Sequence, residues 1–152
     1  MSNDIVKDIT MAVTSALHES TLPLWKAKEL VDAAEREALT INVKMVISIV
    51  DASGNLIIMH RMDGALVASI EISPGKAYTS AIFRSSTEDL SKNMLPGKPF
   101  YCLQNTHSGK CCFLGGGLPI FSFGNCIGAI GVSGGTVDED IHVASAAMQS
   151  LL

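Results

Sequence analysis

Apolar positions in the first forty residues recur at helical spacing. Ile5, Ile9, Ala12, Val13 and Ala16 share one face of the stretch from Asn3 to Leu17, which predicts an amphipathic helix. HESTLP, His18 to Pro23, interrupts it, with Pro23 tolerable in the first turn of the next element. A second helix follows to about Leu39, striped by Ala27, Leu30, Val31, Ala34 and Ala38. MVISIVDASGNLIIMHRMDG (Met45 to Gly64) then changes the pattern to two nearly continuous apolar runs around a turn at Ala52 to Asn55. These are strands, and their apolarity predicts a sheet covered on both faces.

Ser73-Pro74 is a helix start, with Ala77 and Ala81 packing inward, and Thr87 with Leu90 marks a shorter helix. Pro96 to Gly109 is irregular and reads as the mobile loop. A short strand is expected near Cys111 to Leu114, then a hairpin of Leu118 to Phe123 and Cys126 to Val132 turning at Gly124-Asn125. Gly128 and Gly131 weaken the second of these strands unless a helix crosses close to its backbone. Thr136 to Glu139 is a capping box, opening a last helix striped by Ile141, Ala144, Met148 and Leu151. Hairpins outnumber crossovers, so the sheet should be mainly antiparallel with helices on both sides.

The totals narrow the function. The chain has 152 residues, enough for one domain with a core. Its net charge of −4 gives no footprint for nucleic acid. The middle is mildly basic: Lys76 to Gly135 carries five Lys/Arg against two Asp/Glu. An apolar content of 47% is high for so small a chain: either the sheet is covered on both faces or some apolar surface closes against another subunit. The run from Gly115 to Val137 is free of charge, but its glycines and Pro119 cut it too short to span a membrane. No secretory signal opens the chain, so a cytoplasmic protein with reduced, buried thiols at Cys102, Cys111, Cys112 and Cys126 is expected.

Most chemistry fails on motif. GxxxxGK[ST] and GxGxxG are absent. Ser133-Gly134-Gly135 precedes a helix, yet Asp138, Glu139 and Asp140 in that helix's first turn would repel an anion. There is no HExxH, no paired CxxC and no CxxCH. In a strand, Cys111 and Cys112 would point to opposite faces as small core residues. His142 belongs to a polar helix face, His107 to a loop, and His60 to the Leu56–Ile58 face of a strand. His18 is different. It lies about 200° round the first helix from Ala16, off the apolar stripe, and an exposed neutral imidazole can ligate haem iron.

From about Leu22 onward the chain resembles the GlcG/HbpS-like family, which includes the C-terminal domain of PduO proteins. VDASGNL, RMDGA, Lys76-Ala77, GGGLP and IGAIGVSGGTVDED carry the resemblance, and PGKPFYCLQ looks closest to stand-alone members linked to glycerol or propanediol utilisation. The resemblance implies an α+β, profilin-like α/β/α sandwich with a five-stranded, mainly antiparallel sheet, the N-terminal helix of residues 1–20 leading into one compact domain of residues 21–152. It also implies a homo-oligomer and non-covalent binding of haem or another tetrapyrrole. His18 would be the axial iron ligand by location, and Lys76 a partner for a propionate. The adenosyltransferase domain of full-length PduO has no counterpart in these residues. The resulting expectation is a non-catalytic haem-binding accessory protein of cobalamin-dependent diol or glycerol metabolism, without nucleic-acid or membrane partners. Two rivals stand beside it: a ligand-free assembly or reactivation partner of a diol or glycerol dehydratase, and a haem-degrading or peroxide-active enzyme. The resemblance also leaves room for association with a microcompartment.

Overall fold

The computed structural model describes residues 2–19 and 21–151, with side chains for residues 4–14 and 21–151. Its elements are α1 (Ser2–Glu19), α2 (Leu24–Thr40), β1 (Val46–Asp51), β2 (Leu56–Arg61), α3 (Ser69–Phe83), α4 (Thr87–Ser91), β3 (Gly117–Ser122), β4 (Asn125–Ser133) and α5 (Val137–Gln149). Two short 3₁₀ turns, Tyr101–Asn105 and His107–Gly109, lie between α4 and β3.

The strands form one antiparallel sheet in the order β2-β1-β4-β3. It has four strands where five were expected. The missing one is Cys111 to Leu114, which is irregular; the Cys112 N–H donates to the Thr79 hydroxyl at 2.8 Å instead of joining a ladder. The hairpin turn is also displaced by one residue. Ser122 pairs with Asn125, so Phe123-Gly124 forms the turn, with φ of 47° and 80°. A two-residue turn of this hand needs positive φ at both positions, and glycine meets that need only at the second.

Side-chain alternation divides the core. Ile47, Ile49, Ile130 and Val132 face α2 and α5, where they join the buried stripe Ala27, Leu30, Val31, Ala34 and Ala38 expected for α2. Val50 and Ala129 face α3 and its Ala77 and Ala81. The first side is packed with large aliphatic groups; the second is held almost backbone to backbone. A Cβ on Gly131 would overlap the Ser73 carbonyl and the Ala77 amide of α3, so a helix does cross there as expected. At Gly128 the neighbours are instead the Val50 carbonyl and Leu22.

This close seam also explains why α3 begins before the expected Ser73-Pro74 start. Ser69 and Ser73 are buried inside the helix, with Ser73 Oγ 2.8 Å from Ser48 Oγ and 2.9 Å from the Gly131 carbonyl, and Ser133 Oγ 3.1 Å from Ser69 Oγ. These contacts outweigh the helical hydrogen bond that Pro74 cannot make. α1 forms as expected, but Ile5, Val6, Ile9, Met11 and Val13 remain 52–66% exposed. Its apolar face has no cover among the described residues.

Candidate functional site

Two charged residues lie on stripes that should be apolar. In α3, Lys76 is in phase with buried Ser69, Ser73, Ala77 and Ser80. In α5, Asp140 is in phase with buried Val143, Ala144 and Ala147. That is one position round from the stripe expected through Ile141. The side chains meet across the end of β4: Lys76 Nζ donates to Asp140 Oδ2 at 2.6 Å and to the Val132 carbonyl at 2.8 Å, at 1% and 5% side-chain exposure.

The other Asp140 oxygen accepts the Gly135 N–H at 3.0 Å, and Glu139 accepts the Thr136 N–H in a full capping box. The donors that could have cradled a phosphate are therefore filled by the chain's own carboxylates. Burial pushes the Asp140 carboxyl upward, against the pull of the Lys76 hydrogen bond and charge. Gly116, at φ +111°, makes room for the pair: a Cβ there would lie 2.9 Å from Asp140 Cβ and 3.1 Å from Lys76 Nζ. Lys76 thus sits inside the domain, its ammonium engaged by Asp140 and Val132. The DED run looked like helix-start charge alone; the phase of Asp140 with Val143, Ala144 and Ala147 was the signal that reveals its inward turn.

His18 lies in the last turn of α1, and its side chain is outside the described residues. The remaining imidazoles are engaged. His142 Nε2 is 2.6 Å from Glu37 Oε1, bridging α5 and α2 rather than being merely solvated. His60 Nδ1 is 3.3 Å from Glu35 Oε2, with Asp32 close by. Among the described residues these last three bring their ligand atoms within 4.8 Å of one another, at a surface where carboxylates are well hydrated. His107 has Nδ1 2.7 Å from Thr106 Oγ1. The Thr106 hydroxyl also donates to the Leu103 carbonyl at 2.6 Å. Its single proton being used, Thr106 accepts from His107 Nδ1–H.

His107 packs edge-on to Tyr78 and Phe83, with centroids 6.2 and 5.9 Å away. Beside it, Val50, Leu56, Ile70, Pro74 and Tyr78 line an open cavity of roughly 400 Å³. Lys110 stands over the Tyr78 ring at 5.8 Å.

A family model described as "Haem degrading protein HbpS-like" matches residues 22–149. The chain belongs to the HbpS-like family. It is 44% identical to an uncharacterised 15.0 kDa protein of the dhaT-dhaS intergenic region of Citrobacter freundii, over 85% of this chain and 91% of that protein. It is 35% identical to the corrinoid adenosyltransferase PduO of the same organism over 91% of this chain, but spans only 42% of that relative's length. The solved structure of a PduOC–haem complex superposes with a TM-score of 0.83 at 35% identity, covering 86% of this chain and 94% of the other.

Exposed apolar side chains flank the His18 region on both sides, at Ile9, Met11 and Val13 before it and at Leu24 and Trp25 after it. No helix among the described residues is long and apolar enough to cross a membrane, so this surface is not part of a membrane-spanning helix.

Proposed function

We propose that this chain binds haem non-covalently, with His18 as an axial ligand, as an accessory protein of cobalamin-dependent diol or glycerol metabolism. The observation that supports the reading is the likeness to the PduOC–haem complex over 86% of this chain and 94% of that one. When bound, haem supplies a redox-active iron that a neutral imidazole can ligate. The chain's own contribution is exposed apolar side chains close to His18 in sequence, at Ile9, Met11 and Val13 of α1 and at Leu24 and Trp25. A second copy of the chain closes that surface in a homo-oligomer. Lys76 can neutralise a propionate only by exchanging Asp140 for it, whereas Lys110 already stands exposed. The link to corrinoid chemistry is supported by the PduO relatives, of whose length this chain matches less than half.

Titration of haemin into the purified apoprotein tests this reading. A saturable Soret shift is expected, strongly weakened by His18→Ala. An unchanged spectrum and affinity in that variant would remove His18 as a ligand, and absence of saturation in the wild type would remove the function. The family description favours one further reading, haem degradation. Its mark is progressive loss of the Soret band when reductant or peroxide is added to the complex; a stable band supports binding alone.

A further inference from the structure

Cys111 and Cys112 do not point to opposite faces of a strand. Both line one cavity of about 420 Å³ together with Met94, Phe113, Leu95 and Leu114. Cys112 is fixed by one buried hydroxyl: Thr79 Oγ1 accepts its N–H at 2.8 Å and donates to the Gly75 carbonyl at 2.8 Å. Neither cysteine is in a disulfide, and both are half-buried. Met94 is almost wholly enclosed. Two thiols and a thioether in a recess that Ser91 and Gln104 also border form a donor set that hard cations such as Mg²⁺ and Ca²⁺ do not favour and soft cations do.

We infer that Cys111, Cys112 and Met94 form a binding site for a soft monovalent cation, of which Cu(I) is the representative. On binding, each thiol releases its proton to solvent while its sulfur donates a lone pair to the cation, and the Met94 thioether completes a three-sulfur shell. The oxidation state of the metal does not change. The site is separate from the haem reading and stands whether or not that reading holds.

The test uses the full chain, reduced and anaerobic, with Cu(I) presented as its bicinchoninate complex. The wild type should withdraw one Cu(I) per chain, and X-ray absorption should show a shell of sulfur only. Cys111→Ser and Cys112→Ser should each abolish withdrawal, while a Cys102→Ser/Cys126→Ser variant should retain it. Met94→Leu, close in volume to the original, should reduce the sulfur count while keeping the fold. Alanine replacements at 111 and 112 repeat the test if serine proves disruptive, with circular dichroism reporting the fold. Withdrawal by a folded Cys111/Cys112 double variant equal to that of wild type overturns the site, as does a nitrogen- or oxygen-dominated shell.

Discussion

Lys76–Asp140 and Lys92–Asp89 are the same chemical pair at the same 2.6 Å separation. The first is sealed between α3, β4 and α5; the second lies on one exposed turn, with side chains 64% and 65% exposed. On the surface, water and salt screen the attraction, and holding two long side chains together costs entropy. In the interior, each charge has lost its hydration and depends on the other. Burial also reverses the direction of the carboxylate shift. Asp89 is lowered by its Lys92 hydrogen bond, whereas Asp140 is raised because desolvation outweighs Lys76. Length alone therefore says little about what an ion pair contributes; its surroundings decide.

The largest effect should come from breaking the buried pair. Lys76→Met strands Asp140 and should cost about 3–5 kcal/mol in denaturant unfolding. Adding Asp140→Leu should restore much of that loss, so the double variant should be more stable than the single one. A double variant no better than Lys76→Met would mean that packing, rather than charge, is what Lys76 supplies. Next comes the seam that positions the pair. Gly131→Ala forces a methyl group against α3 and should cost about 1–3 kcal/mol, an overpacking penalty.

Smaller again is the cap at the start of α5, where Thr136→Ala should lose about 0.5–2 kcal/mol. Glu139 in the same box is lowered by its Thr136 backbone hydrogen bond. Its contribution is therefore present above the unfolded carboxylate range and is lost as pH falls through its lower folded value. The stability gap between wild type and Glu139→Gln should close on acidification; a gap independent of pH would deny the carboxylate that part. Smallest of all, Lys92→Ala should leave the unfolding midpoint unchanged within error.

The same contrast separates what was legible in the sequence from what was not. The α2 stripe and the β1–β2 hairpin could be read because apolar periodicity is a local signal, and Asp51 with Asn55 closes that turn within five residues. The α5 stripe was legible at Ala144, Met148 and Leu151, but Ile141 was read in place of Asp140, Val143 and Ala147, which also turn inward. Asp140 is buried only because Lys76, 64 residues away, meets it, and no local pattern carries that pairing. Likewise, Cys111 to Leu114 is apolar enough for a strand, but Thr79 captures the Cys112 amide. The family could be read from its motifs. The ligand position could not be read in the same way, since His18 precedes the segment that the family model matches.

The unequal thickness of the two layers has a mechanical consequence. Where α3 lies on β4 with only small side chains between them, little compliant filling exists to absorb a displacement, so the helix and strand must shift as one body. The opposite layer, cushioned by leucine, isoleucine and valine, can trade volume among neighbours. Sequence drift and designed change should therefore accumulate beneath α2 and α5, while the Ser73–Gly131 contact keeps its spacing as the fixed datum of the domain.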